Sequence, residues 1–168
     1  MNVYFSAGEN PMNRHGHSVF RSIHFEVAGR AQRLPKWMRN PDVGAVVTYS
    51  AVRQARSWFG YRDGDPNDDV RAESLSFFVR RESSLPLAPF FEIATGPMWS
   101  NRRIPAATSR LNFDSQLGLG LVLMPGSRAP VRLGYRFSHI SNGGLGTSRN
   151  PGLNVNSVFV GVRVKKFR

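Results

Sequence analysis

The chain has 168 residues, the length of one domain, and no cysteine, which excludes disulfides and thiol chemistry. Its formal charge of +12 asks for an anionic partner, but the basic residues are scattered and no helix-turn-helix, zinc-finger or aromatic RNA-binding motif goes with them, so anionic lipid is as good a candidate as nucleic acid. No run of about 18 apolar residues exists, which excludes a transmembrane helix, and residues 1–5 lack the basic region and apolar core of a signal peptide, so an exported form would have lost its leader or have a truncated start.

Gly and Pro punctuate the chain too often for long helices. Residues 2–7 predict a short first strand, and a polar loop with Glu9, Arg14, His15 and His17 follows. Residues 18–29 alternate, with Val19, Ile23, Phe25 and Val27 on one face and Ser22, His24, Glu26 and Ala28 on the other. Arg21 interrupts the apolar face and Phe20 the polar one. A basic connection at 30–42 holds Trp37 and Met38, a candidate interfacial anchor. Residues 43–52 form the third strand. The loop after it carries Asp63, Asp65, Asp68 and Asp69, which lack the glycine and distal glutamate of an EF-hand and read as a solvated turn.

The fourth strand, 70–81, has Leu75, Phe77 and Val79 on one face. A turn with two prolines leads to the fifth, 90–99, where Phe91, Ile93 and Thr95 alternate with Glu92, Ala94 and Gly96. A loop with Arg102 and Arg103 precedes the sixth, 111–124. There Phe113, Leu117, Leu119, Leu121 and Leu123 face one way, and Asn112, Asp114, Gln116, Gly118 and Gly120 the other. After a tight turn at 125–130, the seventh strand carries Val131, Leu133, Tyr135 and Phe137 on an apolar face. The eighth, from Asn154, carries Asn154, Asn156, Val158, Val160, Val162 and Val164 on one face.

Eight short strands with strong turn signals predict a sandwich or a barrel. Strand lengths near 10 residues and the many charges on the polar faces favour an all-β, eight-stranded antiparallel up-and-down barrel of the outer-membrane type, as one domain over residues 1–168. Leu117, Leu119, Leu121, Val158, Val160 and Val162 are expected outside, and Glu92, Asp114, Arg132 and Arg136 inside. The connections at 8–17, 57–69, 100–109 and 143–153 then share one end of the barrel, and the turns at 82–89 and 125–130 the other.

The apolar face of the seventh strand ends in His139 and Ser141. Spaced i, i+2 on a strand, they point the same way, which brings a hydroxyl toward an imidazole, the minimum for nucleophilic catalysis. Taken alone, the pair reads more simply as two polar residues at a strand end. The histidines at 15, 17 and 24 form no convincing zinc set, and no metal or other cofactor is expected.

The segment from Gly134 through Tyr135-Arg136-Phe137-Ser138-His139-Ile140-Ser141-Asn142 to Gly143, Gly144, Leu145 and Gly146, followed by Asn150-Pro151-Gly152-Leu153-Asn154, resembles the lipid A 3-O-deacylase family. That family carries a His-X-Ser-Asn motif on the penultimate strand of an eight-stranded outer-membrane barrel. The strands around Gln116 to Gly120 and Pro89 to Gly96 are similar to its sixth and fifth, and the resemblance spans about residues 87–164. It implies an esterase with Ser141 as nucleophile and His139 as general base. It also implies oxyanion donors in the Asn142 side chain and the Gly144 N–H. At the third, orienting position the well-known deacylase has glutamate, whereas this chain has Asn154, with Asn156 as the neighbouring alternative. The implied partner is lipid A of lipopolysaccharide in the outer membrane, not nucleic acid, with a homodimer as the candidate assembly. Arg102, Arg103 and Arg149, with Arg110 beside them, are candidates for lipid A phosphates, against a plain reading as solubilising charge. Two other classes compete. A non-catalytic structural or adhesive barrel would keep the strand pattern without a working site. A soluble nucleic-acid binder would put aromatics among the charges, and here most sit opposite them.

Overall fold

The computed structural model describes residues 2–9, 18–31, 41–53, 57–58, 61–62, 69–105, 108–145, 150 and 152–166. Eight strands close into a barrel: β1 (Asn2–Glu9), β2 (Val19–Arg30), β3 (Asp42–Arg53), β4 (Asp69–Glu82), β5 (Pro89–Ser100), β6 (Leu111–Leu123), β7 (Val131–Ser141) and β8 (Leu153–Lys166). Each strand pairs antiparallel with its neighbours in sequence, and β1 pairs with β8 to close the cylinder. The β1–β8 register shifts between Val3 and Tyr4. A two-residue ladder, Ser57–Trp58 against Tyr61–Arg62, lies between β3 and β4. Trp37, Met38, Arg149 and the acidic residues 63, 65 and 68 fall outside the described residues.

Alternation along the strands sets what faces where. Side chains at period two point to opposite faces, and closure turns one face into a lumen. Leu117, Leu119, Leu121, Val158 and Val160 are exposed on the outer surface, and Val162 is half-exposed. Glu92, Asp114, Arg132 and Arg136 are buried inside. Phe25, Val47, Phe77, Phe91 and Ile93 continue the exposed apolar belt around the barrel. Such an inversion, with apolar residues out and charges in, suits a hydrocarbon surrounding: an Arg turned outward at mid-bilayer would cost about 2–4 kcal/mol. The two short turns lie at one end, closed by Ala88 N–H donating to Leu85 O at 2.8 Å and Ser127 N–H donating to Met124 O at 2.9 Å.

The lumen is filled in layers. At the end that holds the β7–β8 connection, Phe20, Val52, Met98, Ile104, Ile140 and Leu153 belong to one apolar cluster. This explains the irregular start of β2. Phe20 turns inward to join the cluster, and Arg21 turns out to solvent. Beneath it lies a polar cavity of about 40 Å³ lined by His24, Thr48, Ser74, Asp114 and Gln116 among others.

Next comes an ion cluster centred on Arg80, which is 2% exposed. Its guanidinium donates to both Glu26 oxygens, at 2.7 and 2.5 Å, and through Nε to Glu92 at 2.8 Å. Arg132 donates to Glu26 at 2.9 Å and Arg136 to Glu92 at 3.0 Å. The rings of Tyr4 and Phe159 lie under the Arg132 and Arg136 guanidinium groups at 3.5 and 4.6 Å. Gly134 makes room for this stack, since a Cβ there would lie 2.4 Å from the Phe159 ring.

Buried charges are tolerable only when each keeps its partners. Replacing Arg80 by leucine removes the cation between Glu26 and Glu92 and leaves each carboxylate with a single arginine, Arg132 and Arg136 respectively. We expect Arg80→Leu to lose about 3–5 kcal/mol of stability, the usual cost of breaking a buried pair by removing one partner. The urea midpoint of the barrel in detergent measures it, and an unchanged midpoint would contradict a structural role for the cluster.

Candidate active site

The outer face of β6, β7 and β8 reads as a ladder of rows. Register places Leu121, Leu133 and Val160 side by side, then Leu119, Tyr135 and Val158, then Leu117, Phe137 and Asn156. The next row is Ser115, His139 and Asn154, and above it Phe113 pairs with Ser141. Polarity therefore rises along one surface, from three rows dominated by apolar side chains to an imidazole and a hydroxyl. Six residues separate Leu133 from His139, about 20 Å along the strand. His139 thus sits at the upper rim of the apolar belt.

Asn154 is the cross-strand partner of His139, and their side chains meet. His139 Nδ1 lies 2.7 Å from Asn154 Oδ1. An amide oxygen only accepts, so Nδ1 is the donor of this bond, and in the neutral ring that tautomer leaves the lone pair on Nε2. Asn156, the sequence alternative, stands one row lower, and its Oδ1 accepts the Tyr135 hydroxyl. Register therefore selects Asn154. Ser141 follows one pleat beyond His139 on the outward face, half-buried, and its hydroxyl makes no hydrogen bond to a described residue. Ser115, on the other flank of His139, is bonded to Thr95 Oγ1 at 3.0 Å.

The chain turns sharply after Ser141. Gly143 and Gly144 have φ of 60° and 81°, a left-handed pair that glycine adopts without the Cβ penalty. The Gly144 N–H donates to Asn142 Oδ1 at 2.8 Å, so two of the oxyanion candidates are bonded to each other. Asn142 is 1% exposed, and its own N–H donates to Asn150 Oδ1 across the loop at 3.1 Å. At the far end of the loop Gly152, with φ of 61°, packs against the imidazole. Arg102 is half-buried and Arg103 exposed, both in the β5–β6 connection at the same end of the barrel.

The structure thus pairs His139 with Asn154 and Asn142 with Gly144, and sets Ser141 one pleat beyond His139 on the same face. Asn150 and Gly152 join them, although the sequence reading gives neither a role. Their only signal is the Asn-Pro-Gly run just before β8, which marks a turn but not what the turn touches.

A family model described as lipid A 3-O-deacylase (PagL) matches residues 23–163. No curated protein matches the chain. Among solved structures, the crystal structure of the outer membrane enzyme PagL is similar to it in fold, with a TM-score of 0.62 and 17% identity over 96% of this chain and 98% of that one.

Proposed function

On the premise that the chain belongs to the lipid A 3-O-deacylase family, we propose that it is an outer-membrane esterase that removes the 3-O-linked acyl chain of lipid A through Ser141 and His139. The observation that carries the proposal is the 2.7 Å His139–Asn154 hydrogen bond, outside the barrel at the rim of the apolar belt, with a hydroxyl one pleat beyond. An enzyme that cuts an acyl chain from a lipid embedded in the outer leaflet needs its nucleophile at that level. The acyl chain can then stay among Leu117, Leu119 and Phe137 while the ester reaches the polar row.

In this reading Nε2 of His139 takes the proton as Ser141 Oγ attacks the ester carbonyl. The tetrahedral oxyanion is met by the Gly144 N–H and the Asn142 amide. In the free protein that N–H donates to Asn142 Oδ1, so it turns from this acceptor to the oxyanion as the charge develops. The intermediate collapses, the bond to the sugar 3-oxygen breaks, and the imidazolium returns the proton to that oxygen. Water, activated by His139, then releases the fatty acid from Ser141. Asn154 fixes the ring and its tautomer but supplies no charge against the imidazolium. Arg102 and Arg103 stand on the same end and suit the lipid A phosphates. Arg149 is proposed for the same role from sequence alone.

The test is a mass spectrum of lipid A from outer-membrane-bearing cells with and without the protein. The expected result is a new species lighter by one acyl group. Identical spectra at full folded expression would favour the non-catalytic barrel.

A further inference from the structure

We infer that Gly152 is a positioning residue for His139: the imidazole is bonded to Asn154 through Nδ1, and its Cε1 occupies the space that a Cβ on Gly152 would take. This rests on the reading of His139 as the base. A Cβ at position 152 would lie 2.8 Å from His139 Cε1, 3.5 Å from Nε2 and 3.8 Å from Nδ1. The first distance is below any real carbon contact, so the ring has to move. It cannot move freely, because the 2.7 Å bond to Asn154 ties the neighbouring Nδ1.

Two features of Gly152 are separable. Its φ of 61° is left-handed, which disfavours most side chains. Its missing Cβ leaves the space that the imidazole occupies. Asparagine tolerates left-handed φ far better than alanine does, yet it carries a Cβ. Gly152→Asn therefore keeps the backbone and tests the contact, whereas Gly152→Ala disturbs both. The loop has a further tie that resists adjustment: Asn150 Oδ1 accepts the N–H of Asn142, next to the nucleophile candidate. The Asn150 to Gly152 stretch thus touches the segment after Ser141 with one residue and His139 with another.

The experiment uses the full chain, folded in detergent micelles with purified lipopolysaccharide as substrate. Histidine is 15N-labelled, and the His139 resonances are assigned by their loss in His139→Gln. Gly126→Ala is the control, since a Cβ there meets nothing within 4 Å. We expect Gly152→Ala and Gly152→Asn each to lower kcat about tenfold with KM little changed, given that roughly 1 Å of misplacement in a reacting group costs about 10²-fold. We also expect both to shift the His139 Nδ1 resonance and to weaken its hydrogen-bonded proton signal.

Should Gly152→Ala fail to fold, Gly152→Asn carries the test. Wild-type activity and an unshifted His139 spectrum in Gly152→Asn would overturn the inference and leave only a backbone requirement. A shifted spectrum in both variants, with no deacylation by the wild type, would uphold the positioning and sink the esterase reading.

Discussion

Ser141→Ala is expected to remove deacylation, lowering the rate by at least about 10³-fold, as loss of a serine nucleophile does elsewhere. The barrel should fold as before. Ser141 is half-buried at the end of β7, outside the packed lumen, and its hydroxyl bonds to no described residue. Its removal leaves no buried polar group without a partner, the usual source of large stability losses. The comparison is a lipid A mass spectrum from cells making equal amounts of folded wild type and variant. Equal deacylation by the two would exclude Ser141 as the nucleophile, whatever the geometry around it. The variant should still bind lipopolysaccharide, because the row of apolar side chains below the site is untouched.

Asn154 is the second position where a large effect is expected, and here the two directions of change differ. Asn154→Ala deletes the acceptor 2.7 Å from His139 Nδ1. The ring then loses both its tautomer and its direction, and turnover should fall about 10²-fold, the scale of roughly 1 Å of misplacement in a reacting group. Asn154→Glu keeps an acceptor oxygen and adds a negative charge beside the imidazolium formed during acylation. If that charge favours the cation by one pKa unit, about 1.4 kcal/mol, turnover rises about tenfold. The rates are measured on the same micellar lipopolysaccharide. A wild-type rate in both variants would make Asn154 a spectator, and Asn156 has no claim to replace it, since its oxygen is engaged by Tyr135 one row below.

The outer surface was legible because hydrocarbon enforces strict alternation. Leu117, Leu119 and Leu121 repeat at period two, and β6 keeps that alternation along most of its length in the structure. The pair of His139 with Ser141 was readable for the same reason: period two fixes their common face. The contact of His139 with Asn154 needed the family resemblance, because register across a glycine-rich loop cannot be counted from spacing.

The lumen was less legible. Arg80 and Arg81 are adjacent, and a charge pair gives no sign of which one turns inward. The phase comes from Leu75, Phe77 and Val79 outside, which places Ser74, Ser76, Phe78 and Arg80 within. Arg80 is the hub of the buried ion cluster and carries no sequence signal of its own, although its partners Glu26 and Glu92, and the arginines 132 and 136 that share them, are legible as polar-face residues. The closing pair β1–β8 joins the two ends of the chain and contains a register shift, which no local pattern announces. Asn150 and Gly152 were missed because a turn sequence describes its own backbone and not the side chain it approaches.

The apolar cluster at one mouth and the arginine–carboxylate cluster below it have a physiological consequence. A barrel filled in this way passes no current. Reconstituted in a planar bilayer it should leave the membrane electrically silent. A cell can therefore carry many copies in its outer membrane without admitting antibiotics or losing ions through them. The proposed deacylation is then uncoupled from the permeability of the membrane.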